Sequence, residues 1–330
     1  MLSTVLVIVI LLALCFDFIN GFHDTANSIA TSVSTRVLSP RAAIVMAASL
    51  NFVGALISDK VAKTFSNGLV DSSLVVEKIV IATLIAAIIW DLITWYIGFP
   101  SSSSHALFGG LIGAAVAYTG SIHVVIWDNV LRIVLLFLAS PILGFSLGYL
   151  FMSILYEILR PFSQRTVNQW FSKLQILSAA WMSYSHGGND AQKSMGIITL
   201  ALISAKIITP SHGVPIWVMV LCATAMALGT SIGGWKIIKT VGVNMIRLQP
   251  INGFAAETGA ALVIEGASSI GVPLSTTHVI STAIMGVGAS KRVSAVRWAL
   301  AKNIVWAWVL TLPITALLGA GIAMIFKLIG

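Results

Sequence analysis

Two short polar stretches recur inside otherwise apolar sequence, DFINGFHDTANS at 17–28 and SYSHGGNDAQKS at 183–194. Aligned, Gly21, Asp24 and Ser28 face Gly187, Asp190 and Ser194. Asp24 and Asp190 offer carboxylates that can carry a proton or ligate a cation, and Asn27, Asn189, Asn20 and Gln192 add neutral amide ligands. His23 stands where the second stretch has Asn189, and an imidazole there is either a ligand or a proton carrier. An isolated ionised carboxylate at membrane depth costs at least about 2.5 kcal/mol. Each such group must therefore be protonated, paired with a cation or open to a wet cavity. Asp17, Asp91, Glu257 and Glu265 also lie in or beside apolar blocks; for Asp17, Asp91 and Glu265 a helix end in the interface is an equally good explanation.

A second pair of segments carries hydroxyls. GFPSSSSHALFGGLIG at 98–113 aligns with GVPLSTTHVISTAIMG at 271–286, matching Gly98, Pro100, Ser102, His105 and Gly113 to Gly271, Pro273, Ser275, His278 and Gly286. Proline suits the first turn of a helix and Ser or Thr its cap. Ser102, Ser103 and Ser104, with Ser275, Thr276 and Thr277, can converge as a donor-rich pocket for a tetrahedral oxyanion. His105 and His278 are either packing residues or part of that pocket. Carboxylates and an oxyanion repel strongly at low dielectric. A cation or proton that neutralises Asp24 and Asp190 as the anion enters removes the conflict and makes the two binding events mutually dependent, the thermodynamic basis of symport.

The elements that must position these groups are membrane spans. Of 330 residues, 58% are hydrophobic and 9% charged, with mean hydropathy +0.98, against about 25% charged in soluble domains. The apolar runs are too long for barrel strands, and backbone in lipid must pair internally, so they are helices. The N-terminal run lacks a basic leader region and reads as a span, not a signal peptide. Ten apolar blocks are countable, and broken or re-entrant helices bring the expectation to about ten to twelve segments. Gly21 and the Gly187–Gly188 pair suit local unwinding, which would free carbonyls for a cation. The net charge of +8 is scattered over short loops, the pattern of positive-inside bias and not of a nucleic-acid surface. Cys15 and Cys222 lie in separate apolar runs and read as small core residues.

Lys60, Lys63 and Thr64 also match Lys236, Lys239 and Thr240, so three alignments at offsets of 166, 176 and 173 keep one order along the chain. The fold expected is an all-α integral membrane protein of two repeats, 1–156 and 174–330, joined by a cytoplasmic loop at 157–173. With an odd number of crossings, about five per half, the repeats are inverted and the site lies near the midplane between them. Placing both termini outside puts twelve Lys and Arg on cytoplasmic loops and five outside.

GFHDTANS at 21–28, GGNDAQKS at 187–194, PSSSSH at 100–105, PLSTTH at 273–278 and GFAAE at 253–257 resemble the inorganic phosphate transporter (PiT) family, of bacterial low-affinity type, over essentially the whole chain. The resemblance implies a homodimer in the cell membrane, working without a cofactor as a phosphate symporter coupled to H+ or Na+ by alternating access. It implies phosphate contacts from the Ser/Thr runs, cation or proton coupling through Asp24, Asn27, Asn189, Asp190 and His23, an important Glu257, and a Na+ site at Asp24, Asn27, Asn189 and Asp190 if sodium is used. Sodium-coupled animal members carry a Glu in the second apolar block, where ASLNFVGA here has Asn51. That departure favours H+, with phosphate carried free or as a complex with a divalent metal. The alternatives are a sulfate or other oxyanion permease and a divalent metal transporter using His23, Asp24, Asn189 and Asp190. An intramembrane hydrolase is disfavoured, because neighbouring Ser and His on one chain do not make a nucleophile–base geometry.

Overall fold

The computed structural model describes residues 3–67, 69–71 and 74–329. Twelve α-helices occur among them: α1 (Thr4–Ser34), α2 (Pro40–Ala55), α3 (Lys60–Asn67), α4 (Glu77–Ile97), α5 (Ser103–Thr119), α6 (Trp127–Leu159), α7 (Gln164–Ser204), α8 (Ile216–Ile232), α9 (Trp235–Ile238), α10 (Pro250–Ser269), α11 (Thr276–Lys291) and α12 (Trp298–Ile329). Serines start many of them. Ser3, Ser39, Ser102, Ser163 and Ser275 each accept a backbone N–H of the first turn, satisfying a donor the helix cannot use itself. Among the described residues α1, α4, α6 and α12 are each long and apolar enough to cross a membrane. The helices α2 and α3 join at a 67° bend, and α8 continues at a 64° bend into α9 and a π-helical turn, Lys239–Asn244. The chain is thus an all-helical membrane protein with broken spans.

Three expectations are corrected. The segment 157–173 is not a loop: α6 runs to Leu159 and α7 begins at Gln164, leaving only 160–163 between them. Polar residues here cap α7 and form its first turns, so the helix begins well before the apolar run. Pro100 and Pro273 precede the helices instead of sitting in their first turns, two residues ahead of the caps Ser102 and Ser275. Neither α1 nor α7 unwinds at its glycines. Gly21 and Gly187 serve close approach instead: a Cβ on Gly21 would lie 3.0 Å from the Thr230 nitrogen on α8, and one on Gly187 2.6 Å from the Asn51 carbonyl carbon on α2. Small residues at such crossings let helix backbones touch.

The packing is reciprocal. Helix α1 crosses α8 and α7 crosses α2; α5 packs on α12 and α6 on α11. From α3, Lys60 Nζ donates to Ser269 O at 2.7 Å and Thr64 Oγ1 to Gly271 O at 2.7 Å, at the end of α10. Lys236 Nζ donates to Tyr96 O at 2.8 Å and Thr240 Oγ1 to Gly98 O at 2.9 Å, at the end of α4. Gly98 and Gly271 have φ of +83° and +76°, a left-handed turn that a side chain would strain.

Two apolar clusters form the core. The first takes Leu6–Phe16 of α1 and Ala191–Leu202 of α7; the second takes Ala26–Ala30 of α1 and Val167–Met182 of α7. Residues 17–25 and 183–190 belong to neither cluster, so the two polar stretches meet as a belt between two apolar masses.

Candidate functional site

Asp24 on α1 and Asp190 on α7 are brought together at the N-terminus of α11. Thr276 Oγ1 donates to Asp190 Oδ2 at 3.0 Å and Thr277 Oγ1 to Asp24 Oδ2 at 3.4 Å. Asn27 Nδ2 donates to Thr277 Oγ1 at 2.9 Å and to Thr276 Oγ1 at 3.5 Å. Adjacent hydroxyls of one helix end therefore bond to carboxylates of opposite halves, with Asn27 behind both.

The first half-site continues through His23. Its Nδ1 lies 2.6 Å from Asp24 Oδ1, and its Nε2 lies 3.0 Å from Thr94 Oγ1 and 3.3 Å from Ser101 Oγ. In the second half-site Lys193 Nζ pairs with Asp190 Oδ1, and His186 Nε2 lies 3.3 Å from Asp190 Oδ2. His186 Nδ1 faces Asn51 Oδ1 at 3.2 Å, and Asn51 Nδ2 donates to Thr230 Oγ1 at 3.0 Å. All these groups are buried.

The hydroxyl runs converge. Ser102 and Ser275 cap α5 and α11 by accepting from the backbone N–H groups of His105 and His278 at 3.3 Å each. Ser104 Oγ donates to Leu274 O at 3.1 Å, just ahead of the α11 cap, so the two helix starts adjoin. Ser103 is buried on the same turn. Two helix N-termini meeting in a site sheltered from water aim partial positive charge and open N–H groups at one place. That suits an anion, while Asp24 and Asp190 suit a cation. His105 and His278 stack behind the caps, ring centroids 4.6 Å apart, flanked by Phe137 at 4.1 Å and Trp308 at 4.0 Å. They form a four-ring column linking α6, α5, α11 and α12.

Not every expected residue joins. Asn189 turns its Nδ2 to α10, donating to Ser268 Oγ at 2.8 Å, while its Oδ1 is buried without a hydrogen-bond partner. Among the described His, Cys, Asp and Glu side chains, Asp24, His186 and Asp190 approach one another, with ligand atoms within 4.8 Å. Glu257 occupies a separate polar station on α10, accepting from Thr31 and Ser178 hydroxyls and from Gln175 Nε2 at 3.4 Å. Asp17 accepts from Ser194 Oγ at 2.7 Å. Asp17 and Asp91 are fully buried, while Glu265 is partly exposed, so of these three only Glu265 fits a place near the surface.

His186, Lys193 and Asn51 belong to the site although sequence reasoning did not place them there. The signal was present: His186 and Lys193 stand four before and three after Asp190, spacings that share one helix face. Glu257 supports a direct check of its station. Glu257→Gln puts an amide donor against a hydroxyl donor, and leaving a buried polar group without its partner costs about 1–3 kcal/mol. The expected result is a lower melting temperature in detergent, with Asp24 and Asp190 contacts undisturbed; an unchanged melting temperature means the hydroxyls do not depend on the carboxylate.

A family model described as "Phosphate transporter family" matches residues 20–319. A Bacillus subtilis protein named "Probable low-affinity inorganic phosphate transporter" is 51% identical over 95% of each chain. A Rhizobium meliloti protein of the same name is 48% identical, over 96% of this chain and 94% of its own. The solved structure titled "The sodium-dependent phosphate transporter" is similar with a TM-score of 0.88 at 27% identity, covering 99% of this chain and all of that one.

Proposed function

Because the chain belongs to the phosphate transporter family, we propose that it is an inorganic phosphate:cation symporter that uses H+ in preference to Na+ and works by alternating access. Its relatives and fold are those of a transporter and not of an enzyme. One observation carries the proposal: neighbouring hydroxyls of α11, Thr276 and Thr277, bond to Asp190 and Asp24 from opposite halves. Phosphate oxygens need those hydroxyls as donors, and the carboxylates hold them when ionised. A cation or proton at the carboxylates weakens that hold and cancels their repulsion of the anion. Each ligand then improves binding of the other by the same factor. Ser102, Ser103, Ser104 and Ser275 complete the phosphate pocket. Asp24, Asn27, Asn189, Asp190 and His23 form the coupling group, with Glu257 contributing from its separate station on α10.

Preference for H+ is supported by Asn51, which places a neutral amide against His186 and Thr230 where the resemblance leads one to expect a carboxylate in sodium-coupled members. The likeness to a sodium-dependent transporter supports Na+ as the second reading. The halves 1–156 and 174–330 act as inverted repeats, a plan supported by the reciprocal packing and by the paired Lys and Thr contacts at the ends of α4 and α10. The protein sits in the cell membrane as a homodimer with both termini outside, supported by loop charge and by family resemblance; residues 1–2 and 330 themselves lie outside the described residues. Beside a sulfate or other oxyanion permease, a divalent metal transporter is an alternative, favoured by the approach of Asp24, His186 and Asp190 and opposed by the Lys193 ammonium on Asp190.

The test is labelled phosphate uptake into proteoliposomes with a proton gradient and a Na+ gradient imposed separately. Uptake driven by the proton gradient alone is expected, with sulfate a poor competitor. Uptake driven only by Na+ replaces the coupling ion, dominance of sulfate replaces the substrate, and metal uptake without any oxyanion replaces the proposal altogether.

A further inference from the structure

The two half-sites differ at one position whose chemistry is opposite in kind. Three residues after Asp24 stands Asn27; three residues after Asp190 stands Lys193. Asn27 presents a neutral amide to Thr276 and Thr277. Lys193 turns its ammonium onto Asp190 Oδ1. It is 1% exposed and is the only buried Lys or Arg among the described residues. Asp190 thus has Lys193 on one oxygen, and Thr276 and His186 on the other. Asp24 has His23 on one oxygen and a 3.4 Å contact from Thr277 on the other. An ammonium is a compact point charge on a flexible stem, and burying one without a partner is costly. The pair is therefore held together by the lack of any other place for either charge.

We infer that Lys193 is a resident counter-cation, occupying the place beside Asp190 that an exchangeable ion would otherwise take and leaving Asp24 as the carboxylate that loads the coupling ion. The inference rests on the symport reading and specifies it. A tethered cation cannot leave with the cargo, so Asp190 contributes no mobile charge to a transport cycle. Two equivalent half-sites would load two ions per phosphate; with Lys193 in place one loads. Because its Nζ lies on Asp190, Lys193 acts on the cation side of the site and not as a phosphate ligand.

The experiment compares the full-length protein with Lys193→Asn, Lys193→Gln and Lys193→Arg. Melting temperature is measured across a Na+ series, with choline holding ionic strength constant, and across pH. Phosphate uptake is measured against the same cations. The neutral variants are expected to melt lower in choline at neutral pH and to regain stability as Na+ or protons are supplied, since a bound cation stabilises the state that binds it. Their uptake should depend more steeply on the cation, with a Hill coefficient moving from about one toward two as a second site opens. Lys193→Arg should stay near wild type. Three results overturn the inference: the same cation dependence in the neutral variants as in wild type, a loss of fold that no cation restores, or weaker phosphate affinity with cation dependence unchanged. The melting series needs no transport. If the wild-type protein carries no phosphate under any gradient, the symport reading fails while the melting series still decides the role of Lys193.

Discussion

Asp190→Asn is expected to abolish phosphate uptake and to lower stability far more than Asp24→Asn. Asp190 holds the Lys193 ammonium as well as Thr276 and His186. Replacing it with an amide strands a buried positive charge, and breaking a buried ion pair by removing one partner costs about 3–5 kcal/mol. Asp24 faces only an imidazole at 2.6 Å and Thr277 at 3.4 Å, so its loss costs on the order of 1–2 kcal/mol, a hydrogen-bond-sized effect. On the symport reading Asp24→Asn removes the carboxylate that loads the coupling ion, and Asp190→Asn removes the acceptor that positions the Thr276 hydroxyl, so both are expected to lose uptake. The readouts are thermal melting in detergent and uptake in proteoliposomes. Adding Lys193→Met to Asp190→Asn removes the stranded charge, because replacing a whole buried pair is often neutral; stability should return while uptake stays lost. Unchanged uptake in both single variants would place coupling elsewhere, and equal melting would mean that Asp190 does not hold Lys193.

Gly187→Ala is the second large effect, and it acts through packing. The added methyl would lie 2.6 Å from the Asn51 carbonyl carbon, so the α2 backbone must give way. Overpacking of this kind costs about 1–3 kcal/mol. The functional loss should exceed the stability loss, because the displaced Asn51 also contacts His186 and Thr230, and a shift there reaches the neighbours of Asp190. Gly266→Ala is the matched control. Nothing lies within 4 Å of a Cβ there, and Ala in a helix interior is favoured over Gly by up to about 1 kcal/mol. The control should melt at the wild-type temperature or higher with uptake intact. If both glycines tolerate alanine equally, the α2–α7 crossing is looser than the structure indicates.

Much of this was legible in the sequence. The all-helical membrane architecture followed from apolar run length, and the pairing of Asp24 with Asp190 followed from their matched surroundings. The hydroxyl runs announced helix starts, and Ser102 and Ser275 are indeed the caps. The short helices α3 and α9 were not legible, because they are too brief to show periodicity and carry lysines that read as loop. Their lysines do satisfy chain ends, but those of α10 and α4 in the other half. The glycines were misread because the same residue serves two purposes, a turn in the backbone or contact between backbones. Only the neighbouring helix decides between them, and a single sequence does not reveal which helix that is. Lys193 was visible three residues after Asp190, yet the two pair only because α7 stays helical through the motif.

That continuity of α1 and α7 through their motifs bears on how such a site changes over time. A pocket built from unwound backbone presents carbonyls that no codon can replace; its ion preference is fixed by the path of the chain. Here both helices keep their own carbonyls engaged, so on the symport reading the groups left to meet a coupling ion are side chains, each open to exchange by one substitution. Asn51, Asn27 and Lys193 are the positions beside the two carboxylates where one substitution changes the local charge. A lineage can therefore move between driving ions by point mutation, and a laboratory selection for growth on a different ion gradient should find its first answers at these three positions.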